Sequence, residues 1–214
     1  RKIMATKSVK PFAVKGFNVT SPKGTALWCK ITEPDRMYND KGVLSTSLVC
    51  NPDDPTVKAF IGKIEELRDV ALAETKENLG AKGAMYKPRP VCTPEYSQDG
   101  AETGNVILKF TLKDVDDRRA EGKQGNIVVV DTKKQVVNPV PLIGNGSVIR
   151  CVAFANPYTM PNTKEVGVTL IWTKMQIIEL VSFGGASDEF DEEDGFESEA
   201  VAAPKEEEFS DVDF

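Results

Sequence analysis

Charge is divided so unevenly along this chain that it limits which residues can fold together. Residues 188–214 hold 13 acidic side chains against one base, Lys205, a net of −12. The whole chain sums to −6, so residues 1–187, with 26 bases and 20 acids, carry +6. An arm of that charge, with no apolar run to bury, cannot offset the entropy of ordering its backbone and is expected to be disordered. All packing must then come from residues 1–187, a length that suits one domain with a sizeable core. Phe190, Phe196, Phe209 and Phe214 stand singly among the acids of the arm. Isolated aromatics of this kind are how a disordered segment anchors in a partner's basic groove; the plainer alternative is a solubilising tail.

What is missing narrows the chemistry. The chain has no histidine, and its four cysteines, Cys29, Cys50, Cys92 and Cys151, stand far apart with no C-x-x-C pair. A zinc site would lack its usual ligands and a thiolate nucleophile its usual imidazole base. The cysteines therefore read as small core residues in a reducing compartment, and no metal or cofactor is expected. Acids dense enough to pair lie in an arm that cannot hold them at a fixed separation, which argues against an enzyme. Residues 144–147 (GNGS) lack the spacing of a phosphate loop and precede a strand, so they read as a tight turn. No stretch approaches 18 apolar residues and no secretory signal opens the chain, so a soluble intracellular protein without a membrane span is expected.

The remaining pattern is mostly strands. Residues 5–23 show little periodicity and read as an extended arm. In residues 24–33, Leu27, Cys29 and Ile31 alternate with Trp28, Lys30 and Thr32, which predicts a strand with one core face and one aromatic, basic face. A loop over 36–41 leads to a second strand over 43–50, completing a hairpin. Asp53 or Asp54 as N-cap, Pro55 in the first turn and apolar residues at helical spacing from Val57 to Leu72 predict a helix that Gly80 stops. Residues 81–99, broken by prolines, form a loop. Val106, Leu108, Phe110 and Leu112 then alternate with Ile107, Lys109, Thr111 and Lys113. A charged turn over 114–123, a short run at 127–130, a strand over 148–155 and a long run over 166–183 follow. Five or more short strands with one helix fit a mainly β fold, the five-stranded Greek-key barrel with a capping helix known as the OB-fold.

Single-stranded nucleic acid is held by stacking bases on aromatic rings while basic side chains track the phosphates. Four strand faces carry such a mixture: Trp28 with Lys30, Lys109 with Lys113, Arg150 with Phe154, and Trp172 with Lys174. The loop adds Tyr86, Lys87 and Arg89. Each aromatic taken alone reads equally well as core, and a basic loop is common on any surface; it is the recurrence that points to a continuous groove. An arm of −12 tethered to a body of +6 can occupy such a groove in place of a phosphate backbone. The rival classes are a scaffold that recruits basic partners through its acidic arm, and a binder of RNA or double-stranded DNA.

The runs IVVVD at 127–131, PLIGNGS at 141–147, NPY at 156–158 and IELVSFGG at 178–185, then acids and a final Asp213-Phe214, resemble the single-stranded DNA-binding proteins of T-odd-type tailed bacteriophages. Glu33-Pro34-Asp35 and the helix at 55–79 also fall where that family has counterparts, so the likeness covers nearly the whole chain. It implies an OB-fold domain over 1–187 and a disordered acidic tail over 188–214. It also implies coating and annealing of single strands in phage replication, recombination and repair, in the cytoplasm of the infected bacterium. The tail, through Asp211, Asp213 and Phe214, would contact the phage DNA polymerase and helicase-primase, and the protein would tend to form a homodimer. By position, Trp28 and Lys30 match first-strand aromatics of the family, Arg150 a lysine, and Tyr158 a tyrosine.

Overall fold

The computed structural model describes residues 11–181; residues 188–214, and with them Asp211, Asp213 and Phe214, lie outside the described residues. In chain order the strands are β1 (Phe17–Thr20), β2 (Gly24–Asp35) and β3 (Val43–Cys50), then helix α1 (Pro55–Leu79). After a 3-10 turn come β4 (Lys87–Pro88), β5 (Thr93–Tyr96), β6 (Glu102–Lys113), the short helix α2 (Val115–Ala120), β7 (Val128–Val130), β8 (Val148–Met160) and β9 (Glu165–Glu179).

Alternation of side chains builds the barrel. On β3, Leu44, Thr46 and Leu48 are buried, and they lie opposite Leu112, Phe110 and Leu108 of β6, also buried. The odd-numbered residues of both strands face outward, as a period of two requires. β2 pairs with β3, β3 with β6, β6 in parallel with β9, β9 with β8, and β8 with β2. That ring of five strands closes on itself, which is the expected OB barrel. Four short strands dress its edges: β1 beside β8, β4 and β7 beside β9, and β5 beside β6.

α1 starts where the sequence predicts. The Asp54 carboxylate accepts from the Thr56 backbone N–H at 2.7 Å, Pro55 occupies the first turn, and Gly80 ends the helix at φ 53°. Its buried stripe, from Val57 through Phe60, Ile64 and Leu67, joins the barrel core. Arg68, also buried, donates from Nη1 to the Arg89 carbonyl at 3.1 Å and so ties the helix to the segment entering β5. Residues expected as an extended arm contain β1, and the charged turn after β6 contains α2.

One local irregularity overturns an expectation. Cys151 and Val152 lie opposite Met175 and Lys174, but Ala153 lies opposite Trp172, so Thr173 is an extra residue in β9. Its carbonyl accepts from Gln124 Nε2 at 2.7 Å, and its hydroxyl donates to the Val152 carbonyl at 3.0 Å. A one-residue bulge exchanges the two faces of everything beyond it. Trp172 and Lys174 therefore do not share a face: Lys174 is exposed, while Trp172 is wholly buried, its indole N–H bonded to the Lys174 carbonyl at 3.1 Å. Trp172 belongs to the core and not to a binding surface.

Candidate nucleic-acid interface

The outward residues of β3, β6 and β9 form the floor of a trough of about 1020 Å³. Ser47 lies opposite Lys109, Ser45 opposite Thr111 and Val43 opposite Lys113, so three rungs of the ladder line its middle. Thr111 in turn neighbours Ile171, which opposes Phe154, and the next outward positions along β8 are Asn156 and Tyr158. Arg89, Pro90 and Val91 make one wall. The loop between β2 and β3 contributes Tyr38 and Asn39, and α2 contributes Arg118.

Tyr158 is packed closely over its neighbouring strand. Its partner across the ladder is Gly167, and a β-carbon placed there would stand 2.8 Å from both Cζ and Oη of the tyrosine. The absent side chain is what lets the ring rest on the strand. At the opposite rim Tyr38 is 94% exposed, on a loop that is itself firmly held. Arg36 donates to both carboxylate oxygens of Asp116 at 3.1 Å, Asn39 donates to Asp114 at 3.0 Å, and Lys41 pairs with Asp117 at 2.9 Å. Backbone bonds from Val115 and Asp116 to the carbonyls of Gly42 and Lys41 complete the seam.

The trough is basic. Arg89, Lys109, Lys113 and Arg118 line it against Asp35 and Asp114. Asp35 is ion-paired at the surface: Lys30 Nζ stands 2.6 Å from its carboxylate, and that hydrogen bond holds its pKa below the ordinary value. Arg89 pairs with Glu165 at 3.1 Å, whereas Lys109 and Lys113 are exposed and have no ion-pair partner among the described residues. Two tyrosines, the two lysines and the apolar side chains of Val43, Ile107, Val168 and Ile171 suit a ligand with flat rings on a polyanionic backbone.

Residues 23–180 match the model of the family described as single-stranded DNA-binding protein, bacteriophage T7. The chain belongs to this family. It is 28% identical over 213 residues to the single-stranded DNA-binding protein of Escherichia phage T7, covering 91% of this chain and 92% of that one. It is 26% identical over 183 residues to that of Enterobacteria phage T3, covering 79% of each. The crystal structure of the single-stranded DNA-binding protein encoded by bacteriophage T7 superposes with a TM-score of 0.62 at 25% identity, over 86% of this chain and 99% of that one.

Within this family fold the residues picked from sequence disperse. Arg89, Lys109, Lys113 and Tyr158 meet in the trough. Lys30 adjoins it, opposite Ser45 and bonded to Asp35, and Lys87 is exposed on β4 two residues before Arg89. Trp28 is 70% exposed but outside the trough. Phe154 is half-buried, its ring against Gly16. Arg150 lines a separate cavity of about 490 Å³ with Lys23, Asp54 and Phe60, and Lys174 lies on β9 between β7 and β8. Tyr86 corrects a second expectation. It is 6% exposed, packed with Phe12, Ala71, Leu72 and Val166, because the 3-10 turn before it folds the ring under α1. The four predicted faces thus do not make one continuous groove. Sequence reasoning missed Tyr38 and Arg118, both in segments read as plain turns, and Gly167, whose role appears only once its cross-strand partner is known.

Proposed function

We propose that the protein binds single-stranded DNA without sequence preference, laying bases on Tyr158 and Tyr38 while Arg89, Lys109, Lys113 and Arg118 follow the phosphates. The observation that carries this reading is the close seating of Tyr158 over Gly167 in a trough that Lys109 and Lys113 also line, neither lysine having an ion-pair partner among the described residues. The names of its relatives support it, since the T7 and T3 proteins are single-stranded DNA-binding proteins. Stacking tolerates any base, because every base has a π face. Nothing in this use of the trough requires catalysis.

The finer reading has three parts. Residues 1–187 form the binding domain, which coats and anneals strands during phage replication, recombination and repair in the host cytoplasm. Residues 188–214 act as a tethered polyanion that competes with DNA for the trough. Asp211, Asp213 and Phe214, once displaced, engage the phage polymerase and helicase-primase, and the protein forms a homodimer. Titration of a fluorescent oligothymidylate tests the core of this. Binding through the four bases gives a log–log salt slope of about −3, at roughly −0.7 per phosphate neutralised. Equal or tighter binding of duplex or RNA at matched charge would point to the rival nucleic acids, and no binding even without the tail would leave the scaffold reading.

A further inference from the structure

Trp28 sits outside the trough in a backbone conformation that side chains seldom adopt. Its φ is 54°, in the left-handed region. The cause is a bulge: Leu27 lies opposite Ser47 and Lys30 opposite Ser45, so β2 spends one residue more than β3 between the same two rungs. The bulge is fastened from outside, because the Trp28 backbone N–H donates to Asn145 Oδ1 at 2.8 Å and Gly146 N–H to the Ala26 carbonyl at 3.1 Å. The result is an indole 70% exposed on a rigid mount. Bulges commonly re-aim a side chain beside a functional surface, and a strained residue held by its surroundings is a reason to look for a use.

The strand that carries it adjoins the trough across two rungs. Ser45 and Ser47 line the trough, and their neighbours on β2 are Lys30 and Leu27, flanking Trp28. Strands lie about 4.8 Å apart, so β2 runs roughly 10 Å beyond β6, the strand that carries Lys109. Lys30 is bonded to Asp35, itself a residue of the trough, and can pass from that carboxylate to a phosphate.

We propose that Trp28 is a third stacking platform: a bound strand leaves the trough across Ser45 and Ser47, and its next base lies on the indole with Lys30 on the adjoining phosphate. This rests on the proposed single-strand binding. Trp172, the other tryptophan of the chain, is wholly buried, so a change in tryptophan emission on binding reports Trp28.

The test is a titration of the full chain with unlabelled oligothymidylates from about 4 to about 16 nucleotides, the range of site sizes for one such barrel. Anisotropy of labelled oligonucleotides of the same lengths runs in parallel. The expected result is quenching that sets in only above the shortest length that binds. Trp28→Ala should weaken the longer oligonucleotides about tenfold, the lower range of one base stack. It should leave the shortest unchanged, and Trp28→Phe should restore part of the loss. Binding without quenching, together with unchanged affinity of Trp28→Ala at every length, overturns this proposal and leaves the trough intact. Absence of binding at any length overturns both. If Trp28→Ala alters only self-association, the indole belongs to a contact with a second copy and the proposal fails.

Discussion

Gly167 shows how one residue sets the geometry of a surface it never presents. The Tyr158 ring occupies the volume that any side chain at Gly167 would need. Gly167→Ala should lift the ring and weaken oligonucleotide binding by about 5- to 160-fold, the worth of roughly one base stack. Tyr158→Ala should cost a similar amount in the same anisotropy titration, and the double variant little more than either alone. Additive losses would mean that the glycine acts elsewhere. Tyr158 was singled out from its family position, but its resting place was not legible, because a cross-strand partner is set by register and register is not written in either strand alone.

At the scale of elements, sequence reading succeeded where one period runs unbroken. β3, with its outward Ser45 and Ser47, and α1, with its proline and aspartate start, fall where periodicity and capping put them. It failed at Thr173, because one inserted residue reverses the face of those that follow and nothing in composition marks it; near Trp28 it read the exposed side of Trp28 and Lys30 but not the bulge between them. The consequence is concrete for Trp172. Trp172→Ala should destabilise the barrel by about 3–5 kcal/mol, the usual cost of emptying a buried tryptophan site. A thermal melt would show a drop of roughly 10 °C for a domain of this size, and an unchanged midpoint would contradict its core placement. The barrel strands also predict a pH response. Burial pushes the Cys29 and Cys50 thiols up to about 11 and raises the Cys151 thiol well above its ordinary value. Below the ordinary thiol value of 9.0 both folded and unfolded chains are neutral at these sites, so the fold keeps its full stability. From there to about 11 the unfolded chain ionises first, and stability must fall as pH rises. Urea midpoints that decline over this window, with thiols slow to react below it, are the expected result.

For the whole molecule the governing fact is opposite charge in two parts of one chain, +6 over residues 1–187 and −12 over 188–214. If the acidic residues visit the trough, their removal should raise affinity for single strands several-fold at low salt, with the gain shrinking as salt screens the attraction. Equal affinity of the full and shortened chains at every ionic strength would separate the acidic residues from the trough. The charge division was plain from composition, whereas the place where the positive residues gather was not. Lys109, Lys113, Arg89 and Arg118 come from three separate segments and meet because β6 lies between β3 and β9 with the 89–93 segment alongside.

The path of a bound strand over the β3–β6–β9 face is what most needs to be seen. Photocross-linking with an oligothymidylate carrying 5-iodouracil at successive positions, read by peptide mass spectrometry, follows that path directly. Adducts on Tyr158 and Tyr38 are predicted. Adducts confined to the cavity of Arg150 and Lys23, or to the exposed face of α1, would contradict it.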